Sequence, residues 1–316
     1  MSSGFPSWVR VVLGLLVFGA LLCFVDVHAV LSALADIRGI DLVNLFGLSV
    51  LLILVSVIKW RAFLERLGIQ ATVPHLFKLY LVGYFVNLLM PSSLGGDVVR
   101  SLYVGRGADK VRAVSATLLE RYTGFVAMVC MSLFAVWWAP QVTLQIRILT
   151  ICVGLGAVGM TVVLVSGRLN QIGELLKLPA RAREKLRRLQ EGFQWGLSDK
   201  GLLVKAAGLS IAFHLLTVVN TAVVGYAVGW ESIPWGDLVV VVPLILIVGA
   251  IPVSPQGLGI QEGAFVFFLT SVGASSGEAL AIALVLRAKS YVLASVGGGV
   301  WLTLSTKERG ESSVLS

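Results

Sequence analysis

Seven charged residues stand in sequence that is otherwise apolar: Asp97, Arg100, Glu120, Arg121, Glu262, Arg287 and Lys289. An ionised side chain in such surroundings is costly unless it is paired or used, so each is a candidate for function. They can pair among themselves, Asp97 and Glu120 with Arg100 and Arg121, and Glu262 with Arg287 or Lys289, at little net gain in stability. They can also hold a ligand. Three carboxylates against four cations leave one positive charge over, and an anionic head group is the natural complement.

Asp97 and Glu262 each close a break rich in Gly and Pro, Pro91-Ser92-Ser93-Leu94-Gly95-Gly96-Asp97 and Pro252-Val253-Ser254-Pro255-Gln256-Gly257-Leu258-Gly259-Ile260-Gln261-Glu262. Gly95, Gly96, Gly257 and Gly259 permit positive φ and a close approach of backbone to a ligand. A helix starting after such a break presents N–H groups that attract an anion, and a phosphate suits both features. The plainer reading of glycine is tight helix packing, which is preferred for Gly297, Gly298 and Gly299. Asn87, His214 and Asn220 read as interhelical hydrogen-bonding residues. The three histidines and three cysteines lack ligand spacing, so no metal site, disulfide or cofactor is expected.

The elements that must position these groups follow from composition. The chain has 316 residues, 57% hydrophobic and only 13% charged, with a mean hydropathy of +0.91. That is too little polar sequence to cover a water-soluble globule. Runs such as Val11–Val25, Leu42–Ile58 and Thr150–Ser166 approach the roughly 20 helical residues that cross a hydrocarbon core. Backbone groups there must bond internally, which predicts an all-α, multi-pass membrane protein forming a single domain over 1–316. The net charge of +8 then reads as cytoplasmic loops and anionic lipid surfaces rather than nucleic acid.

Cations set the threading. The first loop, with Asp26, Asp36, Arg38 and Asp41, is expected outside; the second, with Lys59, Arg61, Arg66 and Lys78, inside. A basic stretch over 168–200 reads as an amphipathic cytoplasmic helix. If the short run Leu79–Met90 crossed fully, Arg100, Arg106, Lys110 and Arg112 would lie outside, so a hairpin entering and leaving on the inner face is expected. Leu238–Ile251 and the apolar stretch after Glu262 form a second hairpin, whose flanks carry no cation and which opens outward. The result is about six full spans plus two interrupted hairpins of opposite orientation, one in each half (1–140 and 141–316). Such an arrangement points to an inverted repeat whose broken helices meet at a substrate site near the midplane. Trp137, Trp138, Trp230 and Trp235 suit an interfacial belt, and both termini are placed in the cytoplasm.

Pro91 to Arg100, Glu120-Arg121-Tyr122-Thr123-Gly124 and Pro255 to Gly263, in this order, resemble the lysylphosphatidylglycerol synthase transmembrane region family of flippase-like proteins. The resemblance covers nearly the whole chain. It implies a bacterial or archaeal inner-membrane protein that moves or handles lipids, without the synthase domain that some members carry. A translocase for an anionic or zwitterionic lipid head is the leading expectation, with the seven charges and four break glycines as its substrate site and no catalytic residue. No nucleotide-binding motif is visible, so movement would be downhill or coupled to an ion gradient. The alternatives are an enzyme acting on a lipid phosphate, or a membrane partner of a separately encoded lipid-modifying enzyme. Oligomerisation is left open.

Overall fold

In the computed structural model, residues 27–90, 95–105, 109–166, 179–251 and 254–314 are described, together with Gly19. The expected first span at Val11–Val25, the break residues 91–94 and 252–253, and the basic residues over 168–178 lie outside them. The described elements are helical. In chain order they are α1 (Val27–Ala35), α2 (Gly39–Arg66), α3 (Val73–Leu89), α4 (Gly95–Val104), α5 (Asp109–Ala135), α6 (Leu144–Val165), α7 (Ala180–Leu197), α8 (Lys200–Ala227), α9 (Trp235–Gly249), α10 (Ile260–Thr270) and α11 (Ser276–Val314). Five of them, α2, α5, α6, α8 and α11, are long and apolar enough to cross a bilayer. They coincide with the second to sixth expected spans.

The two interrupted segments are antiparallel helical hairpins. At 1.5 Å per residue, α4 with 10 residues and α10 with 11 are only about 15 Å long, half a hydrocarbon core. Neither crosses alone. In the first hairpin the Gly96 N–H donates to Asn87 Oδ1 at 2.7 Å, and the Arg100 guanidinium lies 4.0 Å from the Tyr80 ring. Those contacts fix α4 folding back along α3. A Cβ on Gly96 would lie 2.1 Å from the Gly83 carbonyl oxygen, so glycine is what allows the two backbones to touch. In the second hairpin a 3-10 turn at Pro255–Gly257 joins α9 to α10. Gln256, Gly257 and Gly259 have φ of 51°, 67° and 79°, the reversal that the glycine-rich sequence was expected to permit.

The helices pair as two copies of one plan: span, short helix, short helix, span. The first copy is α2 to α5 and the second α8 to α11. Neighbour relations repeat between them, since α3 packs on α11 as α9 packs on α5, and α4 packs on α5 as α10 packs on α11. The leading helices run antiparallel. Arg66 reaches Asp199 at 3.4 Å and Lys59 donates to Ser210 at 3.1 Å, so residue numbers rise along α2 as they fall along α8. One copy is therefore turned over relative to the other, which is the inverted relation expected from the two breaks. Each hairpin sits in its own apolar cluster: Trp60, Phe63, Leu64, Leu76, Leu79 and Leu119 around the first, and Leu238, Ile245, Phe265, Phe268, Leu269 and Ile282 around the second.

α6 and α7 link the copies. The helical part of the basic stretch, α7, carries an exposed Arg187 paired with Glu184 and Glu191, while Gly192 and Gly196 press against Ser115 and Leu119 of α5. Gly297 and Gly298 meet the Leu81 carbonyl and the Phe85 ring, the packing role expected of them. Trp137, Trp138 and Trp235 are exposed, but Trp230 is 3% exposed. The indole expected at the interface is thus part of the second core, and Lys59, expected in a loop, is buried inside α2.

Candidate functional site

The tips of the two hairpins face each other across a cavity of about 460 Å³. Gly83, Asn87, Asp97 and Arg100 line it from the first hairpin, and Gly249, Ala250, Gln256 and Gln261 from the second; Arg121, Phe213 and Ser290 complete the wall from α5, α8 and α11. Broken helices supply such a wall because their ends, unlike a continuous helix, bring both backbone and polar side chains into the interior of a helix bundle.

A chain of charges runs from this cavity into the protein. Asp97, the third residue of α4, accepts from Arg121 Nε and Nη2, both at 2.8 Å, in a two-pronged fork. Its Oδ1 also lies 3.1 Å from Arg100 Nε. Arg100 Nη2 donates to Glu120 Oε2 at 2.6 Å, and Glu120 Oε1 lies 3.9 Å from Lys59 Nζ. The Arg100 guanidinium is held between the Trp60 ring at 4.5 Å and the Tyr80 ring at 4.0 Å, an attraction that helps a buried cation without a full set of acceptors. Lys59, Arg100 and Arg121 against Asp97 and Glu120 leave one positive charge, 3 − 2 = +1. Four of the five side chains are nearly buried, whereas that of Arg121 is 51% exposed. The unbalanced charge therefore has one outlet, at the cavity.

The second half holds a smaller arrangement. Glu262, the third residue of α10, pairs with Arg287 of α11 and accepts the Gly259 N–H at 2.7 Å. Its side chain is fully buried and that of Arg287 is 11% exposed. This answers the open choice of partner: Arg287, not Lys289, takes Glu262.

Of the expected site residues, Asp97, Arg100 and Arg121 line the cavity; Glu120 stands directly behind them. Glu262 and Arg287 pair with each other outside the lining, and Lys289 is on α11, also outside it. Gly95, Gly96, Gly257 and Gly259 shape the hairpins without lining the cavity.

The profile of the Lysylphosphatidylglycerol synthase TM region matches residues 8–298. The chain belongs to that family. Relatives within reach of this lysylphosphatidylglycerol synthase TM region chain are described as UPF0104 membrane proteins. One from Methanothermobacter thermautotrophicus is 21% identical over 319 residues, covering 92% of this chain and 93% of its own. One from Methanocaldococcus jannaschii is 18% identical over 323 residues, covering 96% of each. One from Pyrococcus horikoshii is 22% identical over 303 residues, covering 86% and 89%.

Three kinds of residue in this family member's site escaped the sequence reading. Lys59 passed for a loop cation because it closes an apolar run, although α2 continues for two more turns. Gln256 and Gln261 sit inside the second glycine-rich break but look like ordinary turn residues. Tyr80 and Tyr84 are embedded in the apolar run of α3, where an aromatic residue usually means packing. The signal that could have found Lys59 is its helical register with Trp60, Phe63 and Leu64, all buried in the same core.

Proposed function

We propose that this protein is a lipid translocase whose cavity receives an anionic or zwitterionic lipid head group near the bilayer midplane while the acyl tails stay in lipid. One observation carries the reading: the single uncompensated positive charge of a buried network reaches the cavity through the half-exposed Arg121. A phosphate head there replaces lost hydration with a charge-assisted, planar contact that guanidinium favours. Asp97 and Glu120 hold the cations in position, and the inverted hairpins offer each leaflet an equivalent approach. The membrane is the cytoplasmic membrane of a bacterium or archaeon, with the α7 end facing the cytoplasm, because Lys and Arg gather at that end.

The test is head-group movement in proteoliposomes carrying phospholipids labelled on an acyl chain, with dithionite quenching of the outer leaflet. Wild-type protein is expected to accelerate exchange, and Arg121→Gln to slow it at least tenfold while circular dichroism stays helical. Equal rates for the two proteins would remove Arg121 from the path. No acceleration by wild type for any lipid would end the translocase reading.

A further inference from the structure

The wall of the cavity is unequal in what it offers to the two ends of a phospholipid head. Among the described residues Asp97 is the one carboxylate lining it, and both of its oxygens are engaged by Arg121 and Arg100. An ammonium group would enter beside Arg121 with no free counter-ion. Of the three aromatic residues in the wall, Tyr80, Tyr84 and Phe213, the Tyr80 face already carries the Arg100 guanidinium.

The same wall is well supplied for a phosphate with hydroxyls attached. Arg121 spends two of its five N–H donors on Asp97, leaving three for phosphate oxygens. Gln256 and Gln261, across the cavity on the other hairpin, make no hydrogen bond to the described residues with their carboxamides. Asn87 uses its Oδ1 on Gly96 and keeps its NH2. A carboxamide both donates and accepts, as a hydroxyl does, and a trimethylammonium group does neither. Gln256 reaches the wall from a left-handed backbone, φ 51°. Non-glycine residues hold that conformation only where the surroundings enforce it, and such positions gather at functional sites.

We infer that the ligand is a phosphodiester lipid of net negative charge whose head is uncharged and hydroxylated, a glycerol or a sugar, and that lipids with an ammonium head are excluded. Arg121 binds the phosphate and Gln256, Gln261 and Asn87 read the hydroxyls. This specificity rests on the translocase reading of the same cavity, but binding tests it without requiring movement.

Purified protein in detergent is titrated with dioctanoyl phosphatidylglycerol, phosphatidylinositol, phosphatidylcholine and lysyl-phosphatidylglycerol, following thermal unfolding. At least one of the two hydroxylated anionic lipids is expected to bind tenfold or more tighter than phosphatidylcholine and lysyl-phosphatidylglycerol. Which of the two binds better separates a small polyol from a ring. Gln261→Leu should narrow that preference at least threefold with phosphate binding retained, and Arg121→Gln should abolish it. Equal affinity for all four lipids, tighter binding of either ammonium lipid, or no binding by any would overturn the assignment. Because the measurement is at equilibrium, the preference stands or falls separately from the flipping assay: selective binding without exchange would sink translocation and leave the site.

Discussion

Both hairpins end on the same device. A carboxylate at the third residue of the second short helix meets an arginine on the following span, 24 residues later in the first half and 25 in the second. In the second half the device is shut. Glu262 is fully buried, one oxygen taken by Arg287 and the other by the Gly259 N–H at the start of its own helix. In the first half it is open. Asp97 shares its oxygens between two guanidiniums, and Arg121 is half-exposed in the cavity, backed by Arg100, Glu120 and Lys59. One geometric solution thus does two things. A pair whose charges cancel only fastens a helix to its neighbour, whereas the same pair joined to a network with an extra cation presents that charge to whatever fills the cavity.

The comparison breaks most sharply at the closed pair. Glu262→Gln leaves the Arg287 guanidinium buried beside an uncharged amide, which costs about 3–5 kcal/mol. Replacing both partners together, Glu262→Gln with Arg287→Met, removes the charge from both sides and should recover all but about 1–2 kcal/mol, since buried pairs contribute little over apolar residues of similar volume. Thermal unfolding in detergent reads both. The double variant is further expected to keep lipid exchange within threefold of wild type. Recovery of the fold with loss of exchange would show instead that the closed pair takes a turn at the ligand, as the two halves of an inverted repeat do when they alternate.

The inverted relation of the halves was legible from the two breaks, but a residue-by-residue correspondence between them was not, for a physical reason. Gly95-Gly96-Asp97 and Ile260-Gln261-Glu262 share a position in their helices rather than residue types, and only the carboxylate's depth after the break is common to them. The spans and breaks were legible because lipid imposes long apolar runs and tolerates backbone irregularity only where protein or a cavity covers it. The intramembrane charges were legible because they are costly there. Their partners were not: Glu262 had two cations within reach along α11, and the choice of Arg287 is made by which face of that helix meets α10. Glycine misled in the other direction. Gly96 was expected to admit a ligand, and in the fold it admits the backbone of Gly83.

The glycines sharpen the contrast between hairpins at smaller cost. Gly96 is helical, so Gly96→Ala carries no conformational penalty of its own. Its methyl would instead sit 2.1 Å from the Gly83 oxygen and force α4 off α3, at about 1–3 kcal/mol. The reciprocal Gly83→Ala places its methyl 3.5 Å from the Gly96 oxygen, an ordinary contact, and should stay within about 0.5 kcal/mol of wild type. Unfolding curves in which both changes cost the same would mean that the hairpin relaxes around either methyl. In the second hairpin Gly257→Ala meets two obstacles, a φ of 67° and a methyl 2.7 Å from the Gly249 oxygen. It should cost at least as much as Gly96→Ala.

The smallest effect is expected at Gln256, and its sign is opposite. Left-handed backbone strains a residue with a Cβ by about 1–2 kcal/mol, while glycine adopts it freely but adds entropy to the unfolded chain worth roughly 0.5–1 kcal/mol. Gln256→Gly should therefore stabilise the protein by up to about 1 kcal/mol in thermal unfolding. The same change removes a carboxamide from the cavity wall, so the gain in stability should come with a weaker preference for hydroxylated lipid heads. No first-half residue offers this trade: among the described residues Gln256 alone outside glycine has positive φ. If the variant is less stable than wild type, the Gln256 side chain is held by contacts worth more than the strain. It then serves to pack the second hairpin rather than to face a ligand.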